Sequence, residues 1–278
     1  MNKKSFSVPV ITTGLAGVLC FTVVPLIVMR AMDAILRGAA VKIEASGNPL
    51  IASAPKIVIG FFPLWSGLSV AAGLALLLVA KALYQGENWA RPVAVGLLAI
   101  PSITGAYLSG PVMFFASSKM FYFLIVALIG LIPYFIVLLW GQQGTTGQKI
   151  GWFFLFLMLG VTAAWSFSNG GSSLRMFWAR PEPLYILDSS NLGFLMGFPV
   201  VWIGVVSVVV SIPFLAGYKR LGYRLASVGL MIILVGNGIL RITHPGTKEF
   251  LIGVIMAVVS LTLLWIPGIG GKLIKAEA

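Results

Sequence analysis

The sequence predicts an all-α fold, a polytopic transmembrane bundle of about eight helical spans in a single integral membrane domain, residues 1–278. Three observations predict it. Hydrophobic residues make up 59% of the chain and charged residues 9%, with a mean hydropathy of +1.03. Soluble domains carry roughly 25% charged residues, so this chain lacks the polar surface to cover a soluble body. The apolar residues fall in long runs, and about 20 of them cross a bilayer core of about 30 Å. The runs are continuous rather than alternating over about ten residues, which argues against barrel strands.

The first run lies in "MNKKSFSVPVITTGLAGVLCFTVVPLIVM". Its apolar stretch exceeds the roughly 7–15 residues of a signal-peptide core, so it reads as a retained span, 8–29. The runs that follow place spans near 57–84, 92–116, 120–140, 150–168, 192–217, 224–241 and 249–267. The segment 30–56 carries charges at Arg30, Asp33 and Arg37, the pattern of a short interfacial helix, and then a turn at Gly47-Asn48-Pro49. In the second long connection, 169–191, Asp188 or a nearby serine is placed to cap the sixth span.

Prolines punctuate the spans at Pro25, Pro63, Pro101, Pro111, Pro133, Pro199 and Pro213. Membrane helices tolerate them because neighbouring groups satisfy the freed carbonyls. Two fall in the third span, with Ser102, Thr104, Gly105, Tyr107, Ser109 and Gly110 between them. A helix broken at Pro101 and Pro111 is expected there, and Ser102, Thr104, Tyr107 and Ser109 are the candidate lining of a solute path. Gly222, Ala226, Gly229 and Gly236 recur on one helical face, and Gly253 and Ala257 repeat the spacing. Such stripes let helices approach closely and are read as packing surfaces.

Tryptophans at span ends (Trp89, Trp140, Trp152, Trp165, Trp178 and Trp265) form an interfacial belt, while Trp65 and Trp202 lie deeper. With eight spans the termini share a side with Lys81, Arg91, Lys149, Lys219, Arg220 and Arg224, and with Lys3, Lys4, Lys272 and Lys275. The short loops of the other side hold Lys119, Arg241 and Lys248. That asymmetry predicts an integral membrane protein with cytoplasmic termini.

The formal charge of +12 is spread over span ends, where it meets lipid headgroups. No basic stripe interleaved with exposed aromatics points to nucleic acid. Cys20 is the single cysteine, so no disulfide or redox pair forms within the chain. No metal site is predicted, and the chain has no G-x-S-x-G elbow, P-loop or HExxH motif. No ionisable residue lies near the midpoint of any span, which argues against a proton relay.

Two polar residues stand as weak cofactor candidates. Asn237, inside the seventh span, reads first as a hydrogen-bond bridge to another helix, and alternatively as a ligand for a quinone carbonyl or a chlorin magnesium. His244, the sole histidine, reads as an interfacial loop residue beside Pro245, or alternatively as an axial ligand or surface proton donor. Arg175, Trp178, Arg180, Glu182 and Asp188 share the second long connection and are a candidate external contact surface. The tetrapeptide Trp-Ala-Arg-Pro occurs at 89–92, where it suits a helix start, and again at 178–181.

Three functions fit these residues. The leading one is a non-catalytic subunit or scaffold of a membrane assembly, packed against partner subunits and lipids, without a dedicated cofactor but with bound lipid, quinone or pigment allowed. The alternative is a transporter or channel for a neutral or amphipathic solute, which requires a polar cavity reaching the third span. The third is an intramembrane enzyme acting on lipid or quinone.

Overall fold

The computed structural model describes residues 7–116, 121–140, 145–180 and 189–270. Those residues form helices only. They are α1 (Val8–Ser46), α2 (Pro49–Ala52), α3 (Ala54–Gln85), α4 (Ala90–Phe115), α5 (Phe121–Leu139), α6 (Thr146–Trp178), α7 (Ser189–Ala216), α8 (Arg220–Thr243) and α9 (Lys248–Trp265). All but the one-turn α2 are long and apolar enough to cross a membrane, eight spans among the described residues.

Local sequence explains most helix limits. Gly47 and Gly86 adopt left-handed backbone and close α1 and α3, a conformation that costs glycine nothing. Asn48 accepts from the Leu50 N–H and starts α2, so the turn expected at Gly47-Asn48-Pro49 is present. Thr145 and Gln148 form a reciprocal capping box at the start of α6.

Three expectations are corrected. The first helix does not stop at residue 29. It continues to Ser46, and at 39 residues it is about 58 Å long. The stretch 30–46 is an extension of α1 rather than a separate interfacial helix. It contains no proline, Asp33 and Arg37 pair one turn apart, and Gly38 lets it lie against the Phe115 carbonyl of α4.

The third span is also unbroken: α4 runs as one helix through Pro101 and Pro111. Hydroxyls beyond Pro101 bond back within the helix, Ser102 donating to Leu98 O at 3.0 Å and Thr104 to Ile100 O at 2.9 Å. Finally, α6 does not end at 168. Residues 166–173, "SFSNGGSS", remain helical because buried contacts hold them: Gly170 faces the Trp202 indole, and Asn169 bonds to Asn237.

Consecutive spans run up and down, and cross-contacts sort their ends. At one end, called here the terminal end, Gly14 of α1 meets Ala80 of α3, and Gly151 of α6 meets Ile269 beyond α9. Arg91 of α4 donates to Val137 O and Leu138 O of α5 there, and Trp152 packs on Tyr218. At the opposite end Lys42 of α1 donates to Phe114 O of α4, and Ser53 to Arg175 O of α6.

The tightest seam is α7 against α8. Gly222, Gly229 and Gly236 face Leu215, Gly204 and Val201, leaving no room for a Cβ, and Ala226 is fully buried beside them. Gly253 and Ala257 of α9 are equally enclosed. The predicted small-residue stripes therefore pack helices within this chain. Exposed Leu26, Leu78, Val206 and Ile242 mark the outward face. Trp89, Trp140, Trp178 and Trp265 are exposed at helix ends, while Trp152 is buried.

Candidate functional site

Two helical stripes face each other across a cleft near the opposite end of the bundle. On α6 the stripe is Val161, Trp165, Ser168, Ser172 and Arg175, spaced three or four residues apart so that one face carries them all. On α4 it is Ala106, Ser109, Gly110 and Met113. Between them lies a cavity of about 750 Å³, whose lining also includes Tyr107, Asn169 and Glu249. That volume falls within the roughly 300–1,000 Å³ of small-molecule sites.

Deeper in the bundle a second, apolar pocket of about 130 Å³ lies between α4, α5 and α6, walled by Ile103, Leu131, Phe135, Phe156 and Gly160. Ala106 and Val161 line both spaces, so the two cavities are neighbours that share a wall. The geometry of α5 explains the opening. It packs closely on α4 but meets α6 sparingly, through the Tyr134–Phe156 and Phe135–Phe153 ring pairs toward the terminal end. Met113 and Phe114, exposed on α4, line the larger cavity at its outer side.

The polar end is built on a rigid base. Asn169 donates to Asn237 Oδ1 at 2.6 Å and to Glu249 O at 3.1 Å. Asn237 in turn donates to Ser166 Oγ at 3.3 Å and to Ile233 O at 3.0 Å. Trp165 donates to Glu249 O at 3.0 Å, and Thr162 bonds to Ser260 at 2.8 Å. These bonds tie α6 to α8 and α9 and fix the α6 face that lines the cavity. Phe61, Trp65, Tyr107, Phe167 and Trp202 form a ring cluster behind it.

Arg175 stands at the upper edge of this cavity. Its Nε is buried and has no hydrogen-bond partner. Tyr107 and Glu249 are within electrostatic reach of its guanidinium, yet neither is in ion-pair contact; among the described residues the ion pair is Arg37–Asp33.

The residues predicted as a solute path divide. Tyr107 and Ser109 line the polar cavity and Ser102 lines the apolar pocket. Thr104 turns to α3, where it bonds to Ser69 at 3.3 Å. Asn237 is fully buried and spends its amide on the bridge. Of the expected contact surface, Arg175 belongs to the cleft and Trp178 is exposed, while Glu182 and Asp188 lie outside the described residues.

Arg180 Nη2 lies 3.4 Å from His244 Nε2. The His244 ring sits 3.8 Å from that of Phe194. Burial, and then the Arg180 charge, pushes the His244 imidazole below its ordinary range. The second Trp-Ala-Arg-Pro copy thus ends a helix at Trp178, where the first begins one.

Sequence reasoning missed Trp165, Ser168, Asn169, Ser172 and Glu249 as cavity residues. The three-and-four spacing of Trp165, Ser168 and Ser172 on α6 was present in the sequence, but it becomes a face only if the helix continues past residue 168. Chemically, the lining offers one guanidinium, one carboxylate and several hydroxyls above an apolar slot. The chain matches no protein-family model, and neither a curated protein nor a solved structure resembles it.

Proposed function

We propose that this integral membrane protein binds and carries an amphipathic small molecule, admitted sideways from the bilayer into the α4–α5–α6 cleft. The observation that supports this reading is that a cavity carrying Arg175, Glu249 and hydroxyls adjoins an apolar pocket, the two sharing Ala106 and Val161 in their walls. A soluble polar solute has no use for the apolar half, and a purely apolar one has no use for Arg175. Counted over the short loops alone, basic residues favour the terminal end, so we place that end in the cytoplasm and the polar half of the cleft toward the outer leaflet.

One of the features that suggested a subunit of a larger assembly is used within this chain. The glycine stripes that suggested partner helices are used against α6, α7 and α8 of the same chain. Bound lipid is retained as the ligand class in this proposal.

Gly160 and Gly110 line the cleft, and a Cβ at either would meet nothing within 4 Å. Gly160→Trp and Gly110→Trp therefore plug the two halves without disturbing the packed core. Native mass spectrometry of the protein released from nanodiscs is expected to show a bound amphiphile on the wild type. The plugged variants should lose it while keeping the wild-type melting temperature. Equal ligand occupancy in wild type and both plugged variants refutes the reading.

A further inference from the structure

We infer that the ligand is an anionic amphiphile whose oxyanion headgroup, carboxylate or phosphate, seats on Arg175 while its tail runs down to Gly160. This rests on the amphiphile reading above and adds the chemistry of the head.

Among the described residues Arg175 has no ion-pair partner. A half-buried guanidinium loses hydration and needs an anion or acceptors in return. Arg175 has a buried Nε without a partner, and Glu249 is near enough to influence it but is not paired with it. The last turn of α6 exposes carbonyl dipoles that favour a cation there, which helps explain why the charge is tolerated before ligand arrives. A planar guanidinium offers a fork of donors that matches carboxylate or phosphate oxygens.

The surroundings fit the same head. Ser168 and Ser172 line the cavity one turn apart below Arg175, and their hydroxyls make no hydrogen bond to other described residues. Each is a donor available to a headgroup oxygen. At the mouth, Lys42 Nζ lies 3.9 Å above the Phe114 ring, and Phe114 itself lines the cavity. Lys42 thus brings a second cation to the edge of the cavity that holds Arg175. From Ser172 down to Gly160 the α6 stripe descends about 18 Å, a run comparable to a long acyl chain.

The test uses the full chain in a nonionic detergent and four probes: oleyl phosphate, oleate, oleyl alcohol and inorganic phosphate. Affinity is read by native mass spectrometry and by ligand-induced shift in melting temperature. Wild type is expected to bind oleyl phosphate and oleate about tenfold or more tighter than oleyl alcohol, the range of a charge-assisted hydrogen bond. Arg175→Gln should remove that preference and leave oleyl alcohol binding unchanged, while Arg175→Lys should retain part of it. Both variants should melt within a few degrees of wild type in the absence of probe.

Equal affinity for the phosphate and the alcohol in wild type overturns the headgroup inference and leaves the amphiphile reading standing. Failure of every oleyl probe to bind overturns both. Inorganic phosphate binding as tightly as oleyl phosphate means that the tail contributes nothing, and that result also overturns both.

Discussion

Replacing Gly253 by alanine probes the polar bridge at its most crowded point. A Cβ there would lie 2.5 Å from Asn237 Oδ1 and 2.7 Å from Asn169 Nδ2, closer than such atoms tolerate. The obstructing groups are side-chain amides, so they can move, but moving them breaks the 2.6 Å bond that joins α6 to α8. An intramembrane hydrogen bond of this kind contributes about 0.6 kcal/mol on average and up to about 1.7 kcal/mol. Overpacking adds about 1–3 kcal/mol, and the better helix propensity of alanine returns about 1 kcal/mol. The expected net loss is about 1–3 kcal/mol.

In an Asn237→Ala background the nearer obstruction is gone, and Asn169, still bonded to Glu249 O, loses the partner that holds it against Gly253. There the same glycine substitution should be neutral, or stabilising by up to about 1 kcal/mol. The two changes should therefore couple by at least about 1 kcal/mol. The assay is reversible unfolding of the four proteins of this cycle in mixed micelles, followed by helical circular dichroism. If Gly253→Ala costs the same in both backgrounds within about 0.5 kcal/mol, the glycine does not serve the bridge and the reasoning fails.

Three further outcomes are expected. Gly229→Val drives a Cβ to 2.9 Å from the Gly204 carbonyl and should cost at least about 2 kcal/mol. Gly238→Val on the same helix meets nothing within 4 Å and should change stability far less; similar losses at both would contradict the packing described for the α7–α8 seam. The lowered His244 range means the unfolded chain takes up the proton more readily than the folded one. Stability should thus be complete above the ordinary histidine value and decline as pH falls from there toward the depressed one. His244→Asn should flatten that part of a stability–pH profile, and an unaltered slope would speak against the assignment. Asp33→Asn removes an ion pair between two exposed side chains and should shift stability by less than about 0.5 kcal/mol; a larger loss would show that the α1 extension depends on it.

How much of this was written in the chain follows from which forces act locally. The bilayer demands a length of apolar helix that no other environment demands, so the spans were legible: 120–140 corresponds to Phe121–Leu139, and 192–217 to Ser189–Ala216. The seven-residue glycine repeat was legible too, because small residues on one helical face have few uses besides close approach. Asn237 was readable as a bridge, since an amide in hydrocarbon must find a partner.

Hydropathy marks where a membrane ends, but a helix ends only where its backbone or contacts stop it. For that reason α1 passes residue 29 and runs on to Gly47, and α6 crosses Ser166–Ser173 despite its poor helix formers. Partners far away in sequence decide the second case: Asn237 for Asn169, Trp202 for Gly170 and Phe194 O for Ser173. The cleft depends on the same contacts. Arg175 looks like a loop charge until α6 is extended to Trp178, and its stripe faces a cavity only because α5 leans on α4 and away from α6. The sequence by itself determined the eight runs that, among the described residues, form helices long and apolar enough to cross a bilayer. Only the tertiary structure decided which polar residues would be left without protein partners inside it, because the packing of helices, rather than their composition, sets where space remains.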